Sequence, residues 1–108
     1  MPHEAETRER SLQIARCVLE RWIGILEAAH ALLPLLHSDP GIASQKDYNL
    51  FRGVASKTDD LPVGRVRKEW HPDYLPEKDH EIARCEDLWQ DQIRSACERI
   101  LLRAQQAH

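Results

Sequence analysis

Two Glu-x-x-His pairs are the residues of this chain whose spacing best fits a chemical site. Glu27 and His30 form one pair, and Glu77 and His80 form the other. Helical bundles that bind two iron or manganese ions use this spacing twice, together with an inward-facing Glu from each of two further helices. Both histidines fall on the polar side of their predicted helices, so we expect them to face solvent. Chance pairing in Glu-rich helices explains the pattern better, and we predict no metal and no other cofactor.

Nucleophilic catalysis has little support in the residues that would perform it. Cys85 and Cys97 lie on or beside an apolar helical stripe, where a thiol behaves as a small buried apolar group. Ser56 is not part of a glycine-flanked nucleophile turn, and Gly53 and Gly64 do not form a phosphate-binding loop. We therefore predict no catalytic residues and no enzyme activity, with a small hydrolase or metal-dependent enzyme as the alternative from another functional class.

The most distinctive stretch is a central segment, residues 51–70, which reads FRGVASKTDDLPVGRVRKEW. It places two glycines, a proline, an acidic pair and a basic cluster between two helical arms. A structural interpretation is that Arg65 or Arg67 pairs with Asp59 or Asp60 to hold an ordered loop. The apolar residues then pack into the bundle: Leu61, Val63, Val66 and Trp70.

A functional interpretation of the same segment is that its charged and aromatic side chains remain available to a partner protein. Trp and Arg are the residue types found most often as interface anchors. A loop held by its apolar side chains presents its charges rigidly, so the two interpretations are compatible. The predicted partner-binding residues are Asp60, Arg65, Arg67, Trp70 and, on the second arm, Leu88.

The first helical arm is predicted from about Thr7 to Leu36, where apolar residues recur at helical spacing. Gly24 kinks this arm or divides it into two helices, and Pro34 bends or restarts its last turn. The turn residues 38–41 end it. The broad apolar stripe predicts packing against several neighbours: Ile14, Val18, Leu19, Trp22, Ile23, Ile25, Leu26, Ala29, Leu32, Leu33 and Leu36.

The remaining elements follow from caps and breakers. Residues 42–46 are predicted to be a polar loop, and Asp47 is a candidate cap for a short helix that ends near Ser56. Residues 66–70 are predicted to form one helical turn. The second arm is expected from Asp73 to about Gln105.

The second arm has an apolar stripe and a charged face. The stripe consists of Ile82, Cys85, Trp89, Ile93, Ala96, Ile100 and Ala104. The charged face is expected to be solvated and consists of Arg84, Asp87, Asp91, Arg94 and Glu98. Leu88 and Leu102 lie off the stripe. A basic partner protein is the functional alternative for the charged face, because complementary charge speeds encounter.

These elements predict an all-α fold, a small antiparallel helical bundle in which two long arms are joined by a short helix and an ordered loop. With 108 residues the chain is expected to form a single domain over residues 1–108.

Charge and composition limit the functional classes. The formal net charge of −3 and the pI near 6.0 argue against nucleic-acid binding, which requires a basic surface. We expect no signal peptide, because the N-terminus is charged from Glu4 onward and has no apolar h-region. We expect no membrane span, because no apolar run approaches ~20 residues. An odd number of cysteines, three, favours a reducing environment, so we expect a cytoplasmic protein.

The central motif resembles a pattern in a group of small uncharacterised bacterial proteins: an aromatic residue, then Ser-x-Thr-Asp-x-Leu-Pro-x-Gly, then Arg and Trp. In this chain it comprises Phe51, Ser56, Thr58, Asp59, Leu61, Pro62, Gly64, Arg65 or Arg67, and Trp70. The similarity extends over about residues 15–101, with the specific part confined to the motif. The resemblance implies no activity, although proteins of this size, charge and fold class are similar to immunity proteins that neutralise bacterial toxins.

Together these observations predict a non-catalytic module that binds another protein, most specifically an immunity-type inhibitor of a bacterial toxin. The alternative within the binding class is a homo-oligomeric protein, for example a homodimer, or an adaptor protein that uses Leu88, Leu102 and Trp70.

Overall fold

Four α-helices and three short 3₁₀ helices make up the described part of the chain, residues 2–106, in a computed structural model. Side chains are described for residues 5–106. The α-helices are α1 (Pro2–Leu19), α2 (Ile25–Ser38), α3 (Gln45–Lys57) and α4 (Leu75–Gln106). The 3₁₀ helices are Pro40–Ile42, Gly64–Glu69 and Pro72–Tyr74. No strand occurs within residues 2–106, so the prediction of an all-α fold is confirmed.

The first predicted arm is two helices, separated by residues 20–24. Arg21 has a φ of 64°, a left-handed conformation that interrupts the helical hydrogen-bond pattern. Gly24 precedes the first residue of α2, and a Cβ at this position would lie 3.0 Å from Oε2 of Glu86 on α4. A side chain at Gly24 would therefore displace the carboxylate of Glu86.

Trp22 lies in this break and is 79% exposed, so its predicted place in the core is wrong. Its place on the apolar stripe required one continuous helix, but α1 ends at Leu19. The backbone N–H of Trp22 instead donates to the carbonyl of Cys17 at 2.8 Å. By contrast, Pro34 does not restart α2, which continues to Ser38.

The core lies where α2 packs against the other three helices. Six residues of α2 are buried, and the apolar positions of α1, α3 and α4 meet them. Ile25 and Ile93, from the two predicted stripes, are both buried. The largest fully buried apolar side chains are Phe51, Ile25, Leu26, Leu32, Leu36, Ile42, Ile93, Ile100, Val18 and Val54.

The predicted cap of the short helix is wrong by three residues. Ser44 is the N-cap of α3, and its Oγ accepts a hydrogen bond from the backbone N–H of Asp47 at 3.1 Å. Asp47 is only 3% exposed and forms an ion pair with Arg99 of α4 at 2.8 Å. A buried carboxylate requires such a partner, so Asp47 joins α3 to α4.

Two further expectations differ from the structure. Ile42 and Ala43 are buried, so residues 42–46 are not simply a polar loop. The long second helix begins at Leu75, because residues 72–74 form a separate 3₁₀ turn. His71 caps that turn, with Nδ1 accepting from the backbone N–H of Asp73 at 3.2 Å.

None of the helices within residues 2–106 combines the length and apolar character that crossing a membrane requires.

Candidate functional site

Residues 59–74, here called the connector, join α3 to α4 and contain most of the predicted partner-binding residues. Leu61 and Pro62 are buried and fix the beginning of the connector to the bundle. Gly64 then turns the chain with a φ of 65°, which glycine adopts without strain. None of the six residues of Gly64–Glu69 is buried. Gly64–Glu69 is therefore anchored by the buried residues that precede it and by contacts at the surface.

Arg67 supplies the principal surface contact of the connector. Its Nη1 donates to Oδ1 of Asp79 at 2.7 Å and its Nη2 donates to Oδ2 at 2.9 Å. The predicted pairing of Arg67 with Asp59 or Asp60 is wrong, since this bidentate bond reaches the second turn of α4. The hydrogen bond from Arg67 holds the pKa of Asp79 below its ordinary value. Both groups are solvent-exposed, so the pair orders the connector more than it stabilises the fold.

Trp70 is half-buried beside the same part of α4. The Lys78 ammonium lies 5.7 Å from the Trp70 ring centroid, within cation–π distance, and also 3.3 Å from Oε2 of Glu81. Val66 is exposed, so the prediction that it packs into the bundle is wrong. Tyr74 is exposed as well, with its ring edge-on to His71 at 6.0 Å. The connector thus presents aromatic, apolar and cationic side chains at the surface.

The other predicted partner-binding residues lie at different places. Asp60 is exposed and directly precedes the buried Leu61. Arg65 lines a cleft of about 600 Å³ that α1 and α2 form with the connector. Leu88 is 66% exposed on α4, about 15 Å along the helix from Lys78. The structure therefore brings Arg67 and Trp70 together and leaves Leu88 on a separate part of α4.

His30 is only partly exposed, because it bonds to Thr58 at the end of α3. The Thr58 hydroxyl donates to the carbonyl of Val54 at 2.7 Å. That hydroxyl has one hydrogen, so its oxygen accepts from Nε2–H of His30 at 2.9 Å. The hydrogen bonds assign this tautomer to His30 and give the residue a structural role. Within the described residues no group of three His, Cys, Asp or Glu side chains is placed to hold a metal ion.

The two cysteines of α4 are poorly suited to act as nucleophiles. Burial raises the pKa of Cys97 to about 12. Burial also raises the pKa of Cys85, with the charge of Glu81 adding to the effect. A thiol with a raised pKa carries little thiolate at neutral pH, and the thiolate is the reactive form.

A groove of about 440 Å³ between α3 and α4 was not identified from the sequence. It is lined by Lys46, Asp47, Leu50, Asp91, Gln92, Ser95 and Arg99. Leu88 and Leu102 lie beyond its two ends on α4, and both are exposed. The signal in the sequence was the position of these two leucines, which lie off the apolar stripe and seven residues on either side of Ser95.

No family model, curated protein or solved structure matches this chain.

Proposed function

We propose that this protein is a non-catalytic binding module and that its connector is the surface that binds a partner protein. The observation that carries the proposal is that Gly64–Glu69 has no buried residue and is nevertheless held by the bidentate bond between Arg67 and Asp79. An exposed ion pair adds little to the stability of a fold, so ordering the connector is the main effect of this bond. The proposed contact residues are Asp60, Arg65, Arg67 and Trp70.

A connector that is already ordered binds at a lower entropic cost than a mobile loop. Each flexible side chain or loop residue that becomes fixed on binding reduces the affinity. Trp70 and Arg67 are already held by Lys78 and Asp79, respectively. These two residues belong to the types that carry most of the binding energy in protein interfaces.

The more specific form of the proposal is an immunity-type inhibitor that covers the active site of a bacterial toxin. It is supported by the net charge of −3 and by the exposed acids along α4, which speed encounter with a basic target from outside the proposed contact. Toxins that act on nucleic acid present such basic surfaces. The exposed acids of α4 include Glu77, Asp87, Asp91 and Glu98.

An antiparallel bundle in a cytoplasmic protein is part of this proposal. The contact of Arg8, early in α1, with Asp39, just after α2, supports opposite directions for those helices. Arg94 of α4 contacts the end of α1, and Leu101, later in α4, lines a cleft with Leu12, earlier in α1, which supports opposite directions for α1 and α4 as well. The three cysteines are free thiols, as a reducing compartment requires.

The test uses charge reversal at two exposed connector residues, Asp60→Lys and Arg65→Glu. Neither residue forms an ion pair with a described residue, so we expect both variants to keep the melting temperature of the wild type. The matched control is Arg52→Glu, an exposed arginine on α3. Tagged versions of all four proteins are expressed in the source cells, and the proteins that co-purify are compared by mass spectrometry.

The expected result is one partner that wild type and Arg52→Glu recover and that both connector variants lose. Expressed in a heterologous host, that partner should arrest growth, and only the wild type and the control should relieve the arrest. A large toxin gene next to the gene for this chain would agree with this result. If no protein depends on the connector, or if both variants unfold the domain, the connector is scaffold and the proposal fails.

A further inference from the structure

We infer that the pocket at the break between α1 and α2 binds an alkylammonium group, held by the carboxylate of Glu86 and the indole of Trp22. The pocket has a volume of about 230 Å³ and is formed by residues of the break and of α4. None of the connector residues, 59–74, is among those that line it. The inference therefore does not depend on the proposed function of the connector.

Glu86 is an acid at a position where α4 faces the other helices. It follows Ile82 by four residues and precedes Ile93 by seven, so the three lie close to one line along the helix. Ile93 is buried and Ile82 packs against the core. Glu86 is half-buried, and a Cβ at Gly24 would lie 3.0 Å from its Oε2. The carboxylate is therefore directed towards the break, where Gly24 leaves room for it.

Among the described residues, no cation forms an ion pair with Glu86. Burial raises the pKa of Glu86, and the charge of Asp87, another acid, adds to the effect. Arg94 is bonded to the carbonyls at the end of α1 instead. Arg21 lines the same pocket, but its side chain is exposed. A half-buried carboxylate without a partner is favourable for a cation from outside the chain, because such a cation stabilises the charged form.

Trp22 provides an aromatic surface that the fold itself hardly uses. α1 ends in a Schellman-type turn, in which the backbone N–H of Trp22 donates to the carbonyl of Cys17 at 2.8 Å. An apolar side chain at this position often packs back against the last turns of the helix. Trp22 instead is 79% exposed and lines the pocket. Its ring is therefore available to a cation, and indole is the aromatic group that attracts cations most strongly.

The rest of the pocket suits a short alkyl chain that ends in a charge. Val18, Ile23 and Ile25 contribute apolar walls. Gln90, one turn after Glu86, lines the pocket as well, and its amide oxygen can accept a hydrogen bond from an ammonium. The volume is below the roughly 300–1,000 Å³ of pockets that take drug-sized ligands. A lysine side chain of another protein and a small free amine both present the chemistry that fits.

Titration with two charged probes measures the affinity and separates these two sources. Nα-acetyl-lysine methylamide represents the side chain, and choline represents the free amine. Their uncharged counterparts of similar shape are Nα-acetyl-norleucine methylamide and 3,3-dimethyl-1-butanol. Binding is followed at constant ionic strength by the backbone amide NMR signals of residues 21–25. We expect a dissociation constant on the order of millimolar for the better charged probe, and binding at least about tenfold weaker for its uncharged counterpart.

Variants of the two proposed contact residues test the site. Glu86→Gln keeps the shape of the side chain and removes its charge, so it should weaken binding of the charged probe at least about tenfold. Trp22→Leu should weaken it at least about threefold, because the cation–π contact is lost. The matched control is Glu98→Gln, an exposed acid of the same helix, which should leave the dissociation constant unchanged. Far-UV circular dichroism checks that all variants remain helical.

A second measurement does not depend on these variants. The carboxyl carbon chemical shift of Glu86, followed over pH, gives its pKa with and without the charged probe. A bound cation favours the charged form, so the probe should lower the pKa of Glu86 and leave that of Glu98 unchanged. The charges of Asp87 and Arg21 are present in both titrations, so they do not account for a difference.

Three results would each overturn the inference. The first is that neither charged probe binds up to about 50 mM, or that the uncharged counterparts bind equally well. The second is that Glu86→Gln binds the charged probe as tightly as the wild type does. The third is that the pKa of Glu86 is the same with and without the probe.

Discussion

The guanidinium of Arg94 on α4 donates to the backbone carbonyl oxygen of Val18 at 2.9 Å, where α1 ends. A second bond from the same side chain reaches the carbonyl of Leu19 at 3.2 Å. The last carbonyls of a helix have no partner within the helix, and a cation is favourable at that end. The sequence indicated a solvated Arg94, and the structure instead makes it the residue through which α4 holds the break between α1 and α2.

Replacing Arg94 with Met should therefore destabilise the domain. Hydrogen bonds to a charged donor contribute about 1.5–3 kcal/mol, so we expect a loss of about 2 kcal/mol in the free energy of unfolding. Urea denaturation followed by circular dichroism measures it. Arg84→Met, at an exposed position of the same helix, is the control and should change stability by less than about 0.5 kcal/mol. Equal effects from both variants would show that the contacts of Arg94 with α1 contribute nothing.

Thr58 links the end of α3 to α2 through its hydroxyl, which donates to Val54 and accepts from His30. Thr58→Val keeps the shape of the side chain and leaves both polar groups without this partner. We expect a loss of about 1–3 kcal/mol in the free energy of unfolding, because buried polar groups without a hydrogen bond are costly. Thr58→Ser retains the hydroxyl and should recover most of that loss. A Ser variant as unstable as the Val variant would assign the effect to packing of the methyl group.

The hydrophobic periodicity of the sequence predicted the helices, because each helix has an apolar face. The apolar stripes predicted the helices and the burial of Ile25 and Ile93, since a helix places residues at i, i+3 and i+4 on one face. The positions it assigned wrongly depend on neighbouring helices. His30 and Arg94 are on the polar side of their own helices, but each meets a group from another part of the chain. A pattern along one helix contains no information about that neighbour.

The contacts within the candidate site could not be predicted from the sequence for the same reason. Arg67 and Asp79 are twelve residues apart, and their pairing follows from the turn at Gly64 and the start of α4 at Leu75. Trp22 fits the apolar stripe only if one helix continues from α1 into α2, and it lies in the break between them. The two leucines off the stripe, Leu88 and Leu102, were visible in the sequence, but the groove between them required the position of α3.

The bond between Arg67 and Asp79 should make a small contribution to stability that depends on pH. The pKa of Asp79 is lowered in the folded state, mainly by the hydrogen bond from Arg67. A carboxyl with a lowered folded-state pKa stabilises the fold at pH values above its unfolded pKa, and the contribution is lost as the pH falls through the folded pKa.

The variant that tests this is Arg67→Met. We expect it to be slightly less stable than the wild type at pH 7. The difference should shrink as the pH falls from about 4, the pKa of an unperturbed Asp, through the lower folded-state pKa of Asp79. Thermal unfolding at a series of pH values measures the difference. Lys68→Met, its exposed neighbour without an ion pair among the described residues, controls for the loss of one positive charge. A pH-independent difference would mean that Arg67 acts through the packing of its side chain.

Two glycines should respond in opposite directions to the same substitution. Gly64 has a φ of 65°, so Gly64→Ala is expected to destabilise the domain by about 1–2 kcal/mol, the cost of the left-handed conformation for an L-residue. A Cβ there would lie 3.5 Å from Cγ of Glu27, an ordinary contact, so the cost is in the backbone.

Gly53 lies within α3, and a Cβ at this position meets nothing within 4 Å. Gly53→Ala is therefore expected to stabilise the domain by about 0.5–1 kcal/mol, since alanine loses less conformational entropy in a helix. Urea denaturation of both variants under one set of conditions gives the signs. A neutral Gly64→Ala beside a stabilising Gly53→Ala would mean that the connector leaves its left-handed turn at no cost. The connector would then not be rigid, and the proposed binding surface depends on that rigidity.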